Sequence, residues 1–140
     1  MKKNCPFCTK TIIKNERVYE SPYSQILYNI KPIYQGHVLV MPKAHRGSIN
    51  DLTKKEIADI FNILIKSNQI LKLAYKKRSS IILIQDGKEA GQTIPHLHIH
   101  VIPMDVSNKT KKILREAQES SRRKSLSKEN MKREIKILRE

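Results

Sequence analysis

The sequence predicts an α+β domain in which short strands surround one long helix. Two observations predict this class: strand-like runs bounded by proline and glycine, and one segment whose apolar residues recur at helical spacing. At 140 residues the chain is long enough for one hydrophobic core and short for two. Its hydrophobic fraction of 39% is that of a chain that folds rather than one that stays disordered.

The strand-like runs of the first half follow a short cap, residues 1–16. Residues 17–27 predict two short strands separated by the turn-prone pair Ser21-Pro22. Residues 29–36 are expected to be a connection. Residues 37–41 then predict a strand that Pro42 stops.

A long helix is predicted next, and Asp51 or Thr53 is expected to cap its start. Glu56 stands three residues after Thr53, which is the spacing of a capping box. The apolar residues that follow fall on one helical face, and we expect them to pack into the core. This stripe consists of Ile57, Ile60, Phe61, Leu64, Ile65 and Leu71.

Two further strands are predicted in the second half. Residues 80–85 form a β-branched run suited to a buried strand, and residues 86–93 contain two glycines and predict a loop. Residues 96–102 alternate strictly in polarity, and Pro103 is expected to end that strand.

The formal net charge of +15 divides into +8 before Asn108 and +7 from Asn108 onward. Such a field attracts polyanions, whether nucleotides, RNA or acidic membrane surfaces, and composition alone does not distinguish these from a merely well-solvated surface. We divide the chain into a domain, residues 1–107, and a basic helical extension, residues 108–140. That extension has three open interpretations: a helix packed on the domain, a partner-binding arm or a frayed tail.

Cys5 and Cys8 form a Cys-x-x-Cys pair. Cytosolic conditions disfavour a disulfide, so the pair indicates half a metal site or a redox pair, with two incidental apolar residues as the alternative. No apolar run approaches the ~20 residues that span a bilayer, and the N-terminus lacks the apolar region of a signal peptide. We therefore expect a cytoplasmic protein without a membrane span.

Three alternating histidines, His96, His98 and His100, carry most of the functional information. In a strand, alternate residues share one face at intervals of roughly 6.5–7 Å, so the three imidazoles would line one side. A three-histidine metal site is one alternative, and a purely structural use is another. The outer two residues of an extended strand lie some 13 Å apart, which metal–nitrogen bonds of ~2 Å cannot bridge. Separate roles along the strand are therefore favoured.

The residues just before the triad strengthen this interpretation. The loop contains Gly87 and Gly91, which permit close backbone approach and a phosphate-cradling turn. Residues 91–102 resemble the signature of the histidine triad family; they read Gly-Gln-Thr-Ile-Pro-His-Leu-His-Ile-His-Val-Ile. Their sequence is most similar to that of the fragile histidine triad branch. Residues 29–40 resemble the nucleotide-binding segment of the same family.

The resemblance, which covers residues 5–103, implies a role for each matching residue. It implies an α+β domain with a five-stranded antiparallel sheet, joined into a symmetric homodimer through the long helix and a sheet edge. His98 matches the nucleophile, which forms a covalent nucleotidyl-histidine intermediate. Contacts to the phosphates are implied for His100, His37 and Gln92. Asn29 matches the residue that binds the ribose hydroxyls, and Leu27 and Tyr28 lie beside the base pocket.

A zinc site is also implied by the resemblance. Bacterial-type members of the family hold structural zinc with two cysteines and two histidines, and the matching residues are Cys5, Cys8, His45 and His96. Four protein ligands leave no open coordination position, and such a zinc ion would hold the N-terminal cap against the triad strand. The fragile histidine triad proteins lack this cysteine pair, so the chain combines features of two branches.

The expected activity is hydrolysis or transfer at the α-phosphate of a dinucleoside polyphosphate or a similar conjugate. A nucleoside phosphoramidase is the alternative within the same chemistry. The alternative from another class is a nucleotide- or RNA-binding protein whose basic tail contacts the nucleic acid, which predicts salt-sensitive binding.

Overall fold

A computed structural model describes residues 2–140 and contains a five-stranded antiparallel sheet in the order β1-β2-β3-β5-β4. The strands are β1 (Arg17–Glu20), β2 (Ser24–Tyr28), β3 (Val38–Pro42), β4 (Ser79–Ile84) and β5 (Ile99–Met104). The α-helices are α1 (Lys10–Glu16), α2 (Lys54–Tyr75), α3 (Thr110–Gln118) and α4 (Lys128–Arg139). The α+β class and the five-stranded sheet are confirmed.

The start of α2 has the capping box that the sequence predicts. The Thr53 hydroxyl accepts a hydrogen bond from the Glu56 amide at 3.2 Å, and the Thr53 amide donates to the Glu56 carboxylate at 2.8 Å. These two bonds satisfy two of the free backbone donors at the helix start. The other candidate cap, Asp51, instead closes the short 3₁₀ turn Ile49–Asp51.

Only half of the apolar stripe on α2 packs into the core. Spacing of four residues places a second apolar row beside the one that meets the sheet, and none of residues 2–140 covers that row. The prediction that the whole stripe is buried is therefore wrong. The buried members are Ile60, Leu64 and Leu71, and the exposed members are Ile57, Phe61 and Ile65.

Strand β4 lies at the edge of the sheet, which corrects the prediction of a buried strand. It pairs with β5 alone, and the side chains of Ile82 and Ile84 are 47% and 44% exposed. β-branched residues suit any pleated strand, so their enrichment does not distinguish a central position from an edge.

Strand β5 begins later and ends later than the alternation predicts. His96, Leu97 and His98 precede the strand, so only His100 of the three histidines lies in it, while Pro103 lies inside it, opposite Ser80. The ladder between β5 and β3 stops at Val101, so at Pro103 the strand has a partner on one side only. Proline is tolerated there because the missing N–H costs no ladder bond.

The two faces of the sheet are covered differently. Helices α2 and α4 pack on one face, where Met131, Ile135 and Leu138 of α4 join the main hydrophobic cluster. The extension is thus packed on the domain. The opposite face carries the N-terminal cap and the histidines. Within residues 2–140 no helix combines the length and the apolar character needed to cross a bilayer.

A buried carboxylate, Glu134 on α4, ties the extension to the loop between β2 and β3. It accepts hydrogen bonds from the Tyr75 hydroxyl at 2.5 Å and from Gln35 Nε2 at 3.1 Å. The Tyr28 hydroxyl lies 3.5 Å from the same carboxylate and accepts the Gly36 amide at 2.9 Å. A Cβ at Gly36, where φ is +87°, would stand 2.7 Å from the Tyr75 ring, so only glycine fits.

We expect Glu134→Ala to lower the free energy of unfolding by about 2–3 kcal/mol, because the half-buried Tyr75 hydroxyl and the buried Tyr28 hydroxyl lose their acceptor. Urea unfolding monitored by circular dichroism measures the change. Glu129→Ala, an exposed carboxylate on the same helix, is the matched control and should change the free energy by less than about 1 kcal/mol. Equal effects of the two substitutions would contradict the role assigned to Glu134.

Candidate active site and metal centre

Four predicted metal ligands lie together beneath the N-terminal cap. The ligand atoms of Cys5, Cys8, His45 and His96 all lie within 4.8 Å of one another. Sulfur-to-nitrogen distances are 3.5 Å from Cys5 Sγ to His96 Nδ1, 3.5 Å from Cys8 Sγ to His45 Nδ1, and 3.6 Å from Cys8 Sγ to His96 Nδ1. The structure therefore brings together a Cys₂His₂ set that suits a metal ion.

The separations match a tetrahedral centre. Zinc bonds of ~2.3 Å to sulfur and ~2.0–2.1 Å to nitrogen at the tetrahedral angle give a sulfur-to-nitrogen distance of about 3.6 Å. The Nε2–H of His96 donates to the Pro42 carbonyl at 2.9 Å, which leaves Nδ1 as the free lone pair that faces the sulfurs. This hydrogen bond to the backbone fixes the ring orientation, as is usual for metal-ligating histidines.

A cavity of about 490 Å³ opens beside this centre. Its walls come from four regions of the chain: the N-terminal cap, the β2–β3 loop, the loop before β5, and the segment after β5. His98 and His100 line it together with Asn29, and Phe7, which stands between the two cysteines, forms part of the wall. The Phe7 ring contacts the His98 ring edge-to-face at a centroid distance of 5.2 Å.

The His98 ring is oriented for attack through Nε2. Its Nδ1–H donates to the His96 carbonyl at 2.8 Å, so the lone pair of the neutral ring is on Nε2. Burial lowers the pKa of His98 below its usual value, against the opposing effect of that hydrogen bond. The neutral, nucleophilic form is therefore favoured, and a backbone carbonyl holds the proton on the other nitrogen.

A series of hydrogen bonds runs from the Ile33 amide through His37 to His100. The Ile33 amide donates to His37 Nδ1 at 3.1 Å, which makes His37 Nε2 the protonated nitrogen. That N–H donates to His100 Nδ1 at 2.9 Å, and the remaining N–H of His100, on Nε2, is available to the cavity that His100 lines. Burial lowers the pKa of His100 to about 3, and the proximity of His98 and of the Arg123 guanidinium acts in the same direction. The pKa of fully buried His37 is lowered too, chiefly by burial. His37 thus supports His100 from behind.

The predicted nucleotide-binding residues are placed on different faces. Asn29 lines the cavity, and its Oδ1 accepts the Lys31 amide at 3.0 Å. Leu27 is fully buried in the cluster beneath the cap. Tyr28 points the other way, into the core under α2 and α4, because successive residues of β2 alternate between faces. The prediction that Tyr28 lies beside the base pocket is therefore corrected.

Gln92 does not face the cavity in this structure. Its Oε1 accepts the Gly87 amide at 2.8 Å, and its Nε2 donates to the carbonyls of Gly47 and Ile94, both at 3.1 Å. The side chain thus holds the loop together, and the neighbouring Thr93 lines the cavity instead.

The cavity residues that the sequence analysis did not identify include Phe7, Glu16 and Arg123. Desolvation raises the pKa of Glu16 to about 7, so this carboxyl takes up or loses a proton near neutral pH. Nothing in the local sequence marks Glu16 or Arg123, because each reaches the cavity only through tertiary packing. Phe7 could have been inferred, since it stands between the two cysteines.

Comparison with known proteins agrees with this arrangement. The family model described as HIT domain matches residues 10–107. The chain is 41% identical over 98 residues to a bis(5'-adenosyl)-triphosphatase of Saccharomyces cerevisiae, covering 69% of this chain and 48% of that protein. The part of this chain that matches spans about half the length of its curated relatives, or less.

Two solved structures share the fold over nearly the whole chain. The Plasmodium falciparum diadenosine triphosphate hydrolase, in complex with cyclomarin A, has a TM-score of 0.74 and 32% identity, covering 90% of this chain and 75% of that one. A Zn-bound histidine triad family protein from Mycobacterium smegmatis has a TM-score of 0.69 and 27% identity, covering 97% and 91%. With the family model matched across most of its length and His98 and His100 lining one cavity, this chain belongs to the HIT family, the histidine triad proteins.

Proposed function

We propose that the chain is a nucleotidyl hydrolase or transferase that attacks the α-phosphate of dinucleoside polyphosphates or related conjugates. The observation that carries this proposal is the orientation of His98: Nδ1 is bound to a backbone carbonyl and the lone pair of Nε2 belongs to a ring that lines the cavity. The names of the yeast and Plasmodium relatives, a triphosphatase and a hydrolase of diadenosine triphosphate, support this substrate class.

In the first step His98 Nε2 donates its lone pair to the α-phosphorus. The nitrogen–phosphorus bond forms, the bond from phosphorus to the bridging oxygen breaks, and the electron pair leaves with the nucleoside polyphosphate. The imidazole becomes positively charged, and the His96 carbonyl that accepts its Nδ1–H stabilises that charge. His100 Nε2–H, supported by His37, donates to a non-bridging phosphate oxygen, where negative charge is held.

In the second step water attacks phosphorus and the nitrogen–phosphorus bond breaks. Its electron pair returns to His98 Nε2, a water proton is released, and the product is a nucleoside monophosphate. Asn29 is proposed to bind the ribose hydroxyls at the rim, and Leu27 to support the base pocket from beneath. A phosphate contact by Gln92 requires its amide to exchange its loop hydrogen bonds for the substrate.

The metal of the Cys₂His₂ set is proposed to be structural zinc, which the Zn-bound Mycobacterium relative supports. Its four protein ligands leave no open coordination position, so it would contribute folding energy and orientation but no reacting group. Cysteines that ligate a metal rather than form a disulfide fit the cytoplasmic location that the sequence predicts.

Product identification tests the function. The purified protein is incubated with diadenosine triphosphate, diadenosine tetraphosphate and adenosine 5'-phosphoramidate, and products are separated by ion-exchange chromatography. AMP formed together with ADP or ATP supports the proposal. Faster turnover of the phosphoramidate favours the alternative phosphoramidase. Turnover of none of the three, with salt-dependent binding of RNA that requires residues 108–140, favours the RNA-binding alternative.

We further propose that the chain forms a homodimer through α2 and the free edge of β4. The uncovered row of α2 and the outer residues of β4 are apolar, and an unpaired strand edge offers backbone donors and acceptors to a second copy. Exposed apolar residues grouped this way are typical of a subunit interface.

Phe61→Glu is expected to convert the dimer to a monomer, because it places a charge in the centre of the buried apolar surface. Sedimentation velocity measures the change. Leu73→Glu, on another side of the same helix and 83% exposed, is the control and should leave the dimer intact. A Phe61→Glu protein that sediments as wild type would contradict this interface.

A further inference from the structure

We propose that Arg123 binds the part of the substrate beyond the attacked phosphate, so that the C-terminal segment determines how strongly the enzyme prefers substrates with a long anionic leaving group. This inference rests on the proposed function. Arg123 lies outside residues 10–107, the part of the chain that the family model matches, and its role is assigned from the structure alone.

Arg123 lies in the wall of the same cavity as His98 and His100. Of its guanidinium, Nη1 donates to the Glu116 carbonyl, while Nε is buried and has no partner within the described residues. A buried donor without an acceptor is costly, and an anion entering the cavity would satisfy it. Because the neighbouring histidines stay neutral, Arg123 supplies a permanent positive charge there.

Arg123 also borders a second groove, of about 400 Å³, which is formed with the residues that flank and include α3. Five basic side chains and two carboxylates line this groove. The bases are Lys112, Arg115, Arg122, Arg123 and Lys124, and the acids are Glu116 and Glu119. Arg123 is therefore the residue that lines both the cavity and this groove.

This arrangement suits a polyphosphate chain. The α-phosphate lies at His98, and the following phosphates of the leaving group then extend toward Arg123 and the basic groove. A guanidinium binds phosphate oxygens in a bidentate manner and stabilises the charge that the leaving group gains when the bridging bond breaks. A conjugate whose leaving group carries no phosphate would not reach Arg123.

The test compares kcat/KM for diadenosine tetraphosphate and for adenosine 5'-phosphoramidate in wild type, Arg123→Gln and Arg123→Lys. We expect Arg123→Gln to reduce the ratio of the two values by about 10- to 100-fold, the scale of one charge-assisted contact. Arg123→Lys should restore part of the ratio, because it keeps the charge. Lys132→Gln, an exposed base on α4 that lines neither the cavity nor the groove, should leave the ratio unchanged.

A binding measurement separates this inference from the proposed function. Calorimetry gives the dissociation constants of ATP and AMP for wild type and Arg123→Gln, and no turnover is needed. We expect wild type to prefer ATP and the variant to lose most of that preference. If wild type turns over neither substrate yet shows this pattern, the proposed reaction fails and the Arg123 site stands. An unchanged ATP preference, or an unchanged kcat/KM ratio in a folded variant, overturns the inference.

Discussion

Replacing His98 by alanine is expected to lower kcat for dinucleoside polyphosphate hydrolysis by about 10⁴-fold or more, the scale on which enzymes lose activity when a covalent nucleophile is removed. The imidazole supplies the electron pair of the first step, and within the described residues the only other histidine on the cavity wall, His100, accepts a hydrogen bond at Nδ1 and keeps its proton on Nε2. The loss should appear in kcat rather than in KM, because the ribose and phosphate contacts remain.

Quenched reactions analysed by mass spectrometry provide the direct readout. Wild type should show a nucleotidyl adduct on the peptide that contains His98, and His98→Ala should show none. His100→Asn is the matched comparison: it keeps the nucleophile and should still form the adduct, at a reduced rate. A His98→Ala enzyme that retains activity within about 10-fold of wild type would contradict the covalent mechanism.

Cys8→Ser is expected to abolish stoichiometric metal binding and to lower Tm by more than about 10 °C. A structural zinc site contributes its binding free energy to folding, and about 1 kcal/mol corresponds to roughly 3–4 °C in a domain of this size. Elemental analysis of the purified protein gives the metal content, and differential scanning calorimetry gives Tm. Cys5→Ser should behave in the same way.

Lys10→Ser is the matched control, since Lys10 is exposed and begins α1 just after the metal cluster. It should retain the metal and change Tm by less than about 3 °C. The cysteine variants should also raise KM, because Phe7 lies between the two ligands and lines the cavity. Full metal content in Cys8→Ser would show that these four residues do not form the site.

The sequence was sufficient to predict the strands and the helix start, because those features depend on local chemistry. Thr53 and Glu56 stabilise a helix start wherever they occur at that spacing, and Ser21-Pro22 favours a turn. The capping box and the pair of strands around the turn are both present. The orientation of the His98 ring likewise depends on a residue close in sequence, because its Nδ1–H donates to the backbone carbonyl of His96.

Features that depend on distant parts of the chain could not be predicted. Apolar periodicity shows that Phe61 lies on an apolar face, but not whether this chain or a second one covers it. Pro103 remains in its strand because the pairing of β5 with β3 stops two residues earlier, at Val101, which no local pattern records. Arg123 and Glu16 reach the cavity from segments that carry no motif.

The packing of α3 and α4 has a practical consequence for anyone who produces this protein in pieces. A recombinant fragment limited to residues 10–107 would lose Met131, Ile135 and Leu138 from one face of the sheet and Ala117 and Arg123 from the cavity on the other. Stripped apolar surface promotes self-association, so such a fragment should precipitate during purification. The C-terminal limit of a fragment that stays in solution therefore lies beyond residue 107, where the family match ends, at the end of α4.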